Sequence, residues 1–128
     1  MNVIDASALV EFTLNPELAN RSRHFFDDDV YAPALLIPES LNALKKQVSR
    51  KRISSSRATV AMRRIQTAPI DLIAMHDLTE RIWHLSKTFS TYDACYVALA
   101  QHLQIPLVTC DTKLAMEAKK IVPIIVPE

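Results

Sequence analysis

Glycine is missing from all 128 residues of this chain. That excludes glycine-rich phosphate loops and dinucleotide fingerprints, which need glycine so that backbone can approach a phosphate closely. Any phosphate chemistry must come from side chains or a metal, and helix ends and turns must use Asn, Pro and other polar residues. Cysteine is scarce. Cys95 and Cys110 are too few for a disulfide framework or a four-ligand zinc site. Each lies within two residues of a carboxylate discussed below, which raises a redox or soft-metal role, but two reduced thiols acting as small hydrophobes is the simpler reading. No apolar run approaches the roughly 18–20 residues of a membrane span. The stretch Met1–Ser7 has no basic region ahead of an apolar one, so no signal peptide and a cytoplasmic, membrane-free protein are expected. With 49% hydrophobic and 23% charged residues, the chain reads as a single domain over 1–128 with one core.

Acid is absent from positions 40 to 70. Lys45, Lys46, Arg50, Lys51, Arg52, Arg57, Arg63 and Arg64 put eight positive charges there, against 7 basic and all 14 acidic residues elsewhere. The segment is thus +8 and the remainder −7, which a net charge of +1 conceals. One region attracts polyanions and another is acidic.

Apolar periodicity divides the chain into short strands alternating with helices. Met1–Ile4, Val30–Ala32 closed by Pro33, Ile70–Met75, Pro106–Cys110 and Val122–Val126 read as strands. The last belongs at a sheet edge because prolines flank or enter it. Helices are expected over Ala6–Leu14, from Pro16 to about Phe26, from Pro38 through Val48, and after Ser54–Ser56. Val60, Met62 and Ile65 are the candidate core positions of the last of these. Further helices follow from about Asp77 to Lys87, over Ala94–Leu103 (apolar enough to be central), and after Asp111. This alternation implies an α/β domain whose parallel sheet carries helices on both faces.

In such a sheet, functional groups gather beyond the carboxyl ends of the strands. Asp5 directly follows the first strand, Asp111 follows the Leu107–Cys110 run, and Glu39 lies in the first turn after the second strand. Asp93 opens the helix leading into the fourth strand, so its place at that edge depends on how the helix enters. Each acid has an ordinary explanation. Asp5 and Asp111 suit helix N-caps, Glu39 suits the positive end of a helix dipole, and Ser90–Asp93 resembles a capping box with Asp in place of Glu. Read together, four acids at one edge would repel one another. A hard divalent cation such as Mg²⁺ or Mn²⁺, which takes oxygen ligands, relieves that repulsion.

The motifs Asp5-Ala6-Ser7, Pro38-Glu39-Ser40-Leu41-Asn42-Ala43-Leu44, Tyr92-Asp93-Ala94-Cys95-Tyr96-Val97-Ala98-Leu99-Ala100 and Leu107-Val108-Thr109-Cys110-Asp111 occur in that order. Their order and spacing, across essentially the whole chain, resemble a PIN domain and most closely the VapC-type ribonuclease toxins. The resemblance implies a three-layer α/β/α fold with a roughly five-stranded parallel sheet. It implies a metal pocket of Asp5, Glu39, Asp93 and Asp111, Mg²⁺- or Mn²⁺-dependent cleavage of RNA, a small antitoxin partner and a homodimer. Ser7 and Thr109 match polar positions that support the pocket, and Asn42 matches a polar position one turn beyond Glu39. Two departures stand out. Gln104-Ile105-Pro106 replaces a loop that usually carries glycine, and no acid follows Asp111 until Glu117, which makes a fifth ligand doubtful.

The expected chemistry is phosphodiester hydrolysis by metal-activated water, with Asp93 or Glu39 orienting the water. No covalent nucleophile is expected, because Ser7 has no base partner and His24, His76, His84 and His102 fall outside the motifs. The basic segment Lys45–Arg64 reads as a contact for RNA phosphates, as a solvated helical face, or as a dock for an acidic partner segment. The competing functions are a non-catalytic RNA- or protein-binding module, a housekeeping RNA-processing nuclease, a DNA-directed nuclease and a metal-dependent phosphatase. The phosphatase is weak, because Asp5-Ala6-Ser7 lacks a second Asp two residues on.

Overall fold

Strand pairing in the computed structural model, which describes all 128 residues, builds one parallel five-stranded sheet. The strands are β1 (Asn2–Ile4), β2 (Val30–Pro33), β3 (Asp71–Ile73), β4 (Leu107–Val108) and β5 (Ile124–Ile125), in spatial order β3-β2-β1-β4-β5. The chain steps outward from β1 to β2 and β3, then returns to lay β4 against the free side of β1. That reversal makes the gap beyond β1 and β4 the topological switch point, where an open parallel sheet has its crevice. The register pairs Val3 with Leu107 and Ile4 with Val108. Extended by one residue, it sets Asp5 beside Thr109. β5 is an edge strand, as its prolines require.

Helices α1 (Ala6–Leu14), α3 (Leu36–Ser49) and α4 (Ser55–Thr67) pack on one another, and α2 (Pro16–Arg21) packs on α1. α6 (Thr91–Leu103) lies across β1, β2 and β4 with α5 (Thr79–Leu85) against it, while α7 (Thr112–Ala118) meets β5. Residues Ala94–Ala100 are all buried, which suits a helix apolar on every side. All of them but Cys95 join Val3, Ile4, Leu107 and Val108 in one continuous core.

Several boundaries differ from the periodicity. The helix expected to run to about Phe26 stops at Arg21, and a 3-10 turn covers Arg23–Phe26. α3 begins at Leu36, two residues before Pro38, whose missing N–H is not needed in a first turn. The helix expected from Asp77 splits into a 3-10 turn over His76–Leu78 followed by α5. On α4, Val60 and Met62 are exposed, and the buried positions are Ala61 and Ile65. The buried face is set by the spacing of four from 61 to 65, so a small alanine, not the larger Val60 or Met62, meets the neighbouring helices.

Without glycine, two polar residues take the left-handed conformation, Lys51 (φ 58°) after α3 and Gln104 (φ 57°) at the C-cap of α6. Gln104 is where the sequence departs from the glycine of its resemblance, and the backbone adopts the glycine-like angle nonetheless.

Candidate functional site

Asp5 ends β1 and caps α1, and it is 4% exposed. Its Oδ1 accepts from the Ala8 N–H at 3.0 Å and from the Ser7 hydroxyl at 2.7 Å, while its Oδ2 accepts from the Thr109 hydroxyl. The oxygens of those two hydroxyls are used again. The Cys110 N–H donates to Ser7 Oγ at 2.9 Å, and the Asp111 N–H donates to Thr109 Oγ1 at 3.0 Å. Ser7 and Thr109 therefore clamp Asp5 and also fix the backbone that carries Asp111, joining the ends of β1 and β4. Burial pushes the Asp5 carboxyl up to about 6; the three hydrogen bonds oppose this, and the charge of Asp111 adds to it.

Glu39 sits in the first turn of α3, half-buried, with its Oε1 accepting from the Tyr96 hydroxyl at 2.9 Å. Burial raises its carboxyl above the ordinary range; the Tyr96 bond lowers it, and the charges of Asp93 and Asp5 raise it further. Asp93, in the first turn of α6, is raised by burial and by Asp111, with the Ser90 hydroxyl pulling the other way. Asp111 caps α7. Its Oδ1 accepts from the N–H groups of Lys113 at 3.0 Å and Leu114 at 3.1 Å, which leaves Oδ2 free. Repulsion thus links Asp5 to Asp111, Asp111 to Asp93, Asp93 to Glu39 and Glu39 to Asp5, a closed ring. Capping and a second role are compatible here, since a cap occupies one carboxylate oxygen and leaves the other.

The four side chains do not converge into a cage. No three Asp, Glu, His or Cys residues are gathered closely enough to enclose a metal on their own. That geometry suits Mg²⁺, which keeps several of its waters and binds through one or two carboxylates, better than a cation needing a full set of protein ligands. Asp93 and Asp111 line a hollow of about 330 Å³ with Ser90, Lys113 and Glu117. Glu39 lines a neighbouring hollow of about 560 Å³ with Asn42, Lys46 and Tyr92. Asp5 lines neither and lies beneath.

Among the other expected residues, Ser7 and Thr109 bond directly to Asp5, whereas Asn42 shares the hollow of Glu39 without bonding to it. The basic segment divides. Arg57 donates to the Leu14 carbonyl at 2.6 Å and Arg64 to the Thr13 carbonyl at 2.9 Å, so both tie α4 to the C-terminal end of α1. Lys46 alone of the eight lines a hollow with one of the carboxylates. Lys45, Arg50, Lys51, Arg52 and Arg63 are exposed.

Two side chains near the acids were not among the expected site residues. Tyr96 holds Glu39 from a fully buried position; its spacing of three from Asp93 puts both on one side of α6, which was the available signal. Glu117 reaches the hollow of Asp93 and Asp111, and its spacing of four from Lys113 was the clue. Glu117, the doubtful fifth ligand, therefore shares a hollow with Asp93 and Asp111.

The PIN domain family profile matches residues 3–120. The chain belongs to the PIN domain family. Within it, the chain is 36% identical over 116 residues to Ribonuclease VapC12 of Mycobacterium tuberculosis, covering 90% of both chains. It is 31% identical over 126 residues to VapC ribonuclease Mb0985 of Mycobacterium bovis, covering 98% of both. The crystal structure of PAE2754 from Pyrobaculum aerophilum superposes with a TM-score of 0.70 at 22% identity, covering 95% of this chain and 89% of the other. FitAcB from Neisseria gonorrhoeae superposes at 0.61 and 18% identity, covering 97% and 96%. At those identities the structures bear on the fold, and they match this PIN domain in its parallel α/β sheet flanked by helices.

Proposed function

We propose that this PIN domain is a divalent-metal-dependent endoribonuclease, the toxin of a toxin–antitoxin pair. The observation that carries this is the gathering of Asp5, Glu39, Asp93 and Asp111 at the switch point, where Ser7 and Thr109 tie the buried Asp5 to the backbone of Asp111. Carboxylates brought to one edge of a sheet without a countercharge repel one another, and Mg²⁺ or Mn²⁺ is the hard cation that such oxygens take. The naming of VapC12 and Mb0985 as ribonucleases supports RNA as the substrate.

Asp5, Glu39, Asp93 and Asp111 would hold the ion, one or two of them directly and the others through the waters of its shell. When bound, a divalent cation supplies charge neutralisation at the scissile phosphate and acidification of a water molecule. The chain's residues supply the orientation. Ser7 and Thr109 hold Asp5, and Tyr96 holds one oxygen of Glu39 while the other stays free to accept a proton from water. Lys113 and Lys46 put positive charge beside the two hollows, where a phosphate strand would run. A cytoplasmic site of action, a homodimer and a small antitoxin are proposals on the family resemblance. Size measurement in solution tests the dimer, and relief of growth arrest by a co-expressed neighbouring gene tests the antitoxin.

The absence of a three-ligand cage favours a second reading, a non-catalytic module that binds RNA or protein. RNA cleavage with Mg²⁺ or Mn²⁺, with and without chelator, decides between them. Asp93→Asn is expected to lose about 10²–10⁴-fold in cleavage rate with its fold intact. Chelator-resistant cleavage, or full activity in Asp93→Asn, would sink the metal-nuclease reading.

A further inference from the structure

Tyr92 stands next to Asp93 in the sequence yet leaves 66% of its surface in water. The Tyr31 and Tyr96 hydroxyls are each hydrogen-bonded within the protein, and that of Tyr92 is not. Its ring joins none of the aromatic pairs, which involve only Phe12, Phe25, Phe26 and His24. The fold makes no evident use of this side chain, and an aromatic ring held on the surface is a ready binding platform.

The hollow it lines includes Leu35, Pro38, Glu39, Asn42 and Lys46. Its volume of about 560 Å³ lies within the roughly 300–1,000 Å³ of small-ligand sites. It combines a flat π-face, an amide that both donates and accepts, and an ammonium with no acidic partner, beside the Glu39 carboxylate. A nucleotide presents the complementary set: a base to stack, base edges to hydrogen-bond, and a phosphate. The two apolar hollows lack part of it. That of the exposed Trp83 is lined by no Lys, Arg, Asp or Glu, and that of Ile37, Leu41, Met62 and Leu72 has neither ring nor charge.

We propose that the Tyr92 hollow is a nucleotide subsite, in which the Tyr92 ring stacks on a base of single-stranded RNA while Lys46 holds an adjoining phosphate. This rests on the ribonuclease reading and adds to it the residues that align the strand against Glu39. A stacked base is available only where the RNA is unpaired, so the subsite selects loops and single strands over duplex. Stacking tolerates any base, so Tyr92 sets position along the strand, and Asn42 is left to discriminate between bases.

The test measures binding of a short single-stranded oligoribonucleotide carrying 2-aminopurine, in an Asp93→Asn background with Mg²⁺ present. Adding Tyr92→Ala is expected to weaken binding by about 5- to 150-fold, the range for loss of one stacked base. It also abolishes the quenching of 2-aminopurine that accompanies stacking, with Tm unchanged. Tyr92→Phe and Tyr92→Trp restore both binding and quenching. Lys46→Gln lowers the salt dependence of binding by about 0.7 in the log–log slope, one phosphate contact on a single strand. The proposal is overturned if Tyr92→Ala binds and quenches like its parent, if Tyr92→Phe loses as much as Tyr92→Ala, or if the Asp93→Asn protein binds no RNA. Failure of the nuclease reading looks different. Wild type that never cleaves RNA, alongside Tyr92-dependent binding and quenching, refutes the nuclease and supports the subsite.

Discussion

The corner around Asp5 and the basic arm running from α3 into α4 handle polar groups in opposite ways. At the corner, one carboxylate, two hydroxyls and three backbone N–H groups satisfy one another beneath the surface. Along the arm, eight cations have no acidic partner, and two of them reach backbone carbonyls of α1. The corner exists because two parallel strands end side by side, so its geometry is fixed by the sheet. The arm exists because two amphipathic helices expose one face, and its charges are placed only by the helix surface. A few polar groups at strand ends therefore say more about chemistry than a longer run of charges along a helix.

The largest stability effect expected at the corner is its pH dependence. The folded-state pKa of Asp5, about 6, exceeds its unfolded value of about 3.8. Between those values the folded chain binds more protons than the unfolded chain, so stability falls as pH rises through that window. Glu39 and Asp93 shift in the same direction. Urea unfolding in chelator should lose up to about 3 kcal/mol from pH 4 to pH 7 on account of Asp5. Added Mg²⁺ should return stability at pH 7 and less at pH 4, where Asp5 is protonated. A flat profile in chelator would mean that the corner is not a frustrated acid site.

Thr109→Val keeps the shape of the side chain but removes the donor to Asp5 and the acceptor for the Asp111 N–H. With Thr109 fully buried, the expected loss is about 1–3 kcal/mol in urea titration. Cleavage should fall as well, because Asp5 and Asp111 lose their common support. Undiminished stability would show the clamp to be dispensable.

Smaller effects should separate members of the arm. Arg64→Gln removes a bond to the Thr13 carbonyl and should lower stability by about 1 kcal/mol. Lys45→Gln, at an exposed position, should change it by less than about 0.5 kcal/mol. Equal effects from the two would erase the distinction between the cation that anchors and the one that is solvated.

Much of the fold was legible in the residues. Five apolar runs and the helical periodicities between them located every strand, and Ala94–Leu103 announced itself as central by being apolar all round. The misjudged places have two causes. Val60 and Met62 are large and apolar, yet Ala61 is buried, because neighbouring helices decide which stripe of α4 faces inward. Helix ends moved by several residues at Arg21 and His76, where 3-10 turns intervene and periodicity is silent. At the site, Asp5 and Asp111 were readable from strand ends. Tyr96, Glu117 and Tyr92 were not, because each matters through a neighbour distant in the chain.

The sequence by itself determined the kinds of element, the absence of any glycine phosphate loop, the four acids at element starts and the ordered motifs that resemble a PIN domain. All of these are local, set by side-chain chemistry and the periods of helix and strand. Only the tertiary structure decided the strand order β3-β2-β1-β4-β5, and with it the pairing of β4 against β1 that lays Thr109 on Asp5. Sheet order depends on the packing of whole helices, and no short stretch of sequence encodes it. It is the step that turns Asp5, Glu39, Asp93 and Asp111 from separate helix-start acids into one ring of mutually repelling carboxylates.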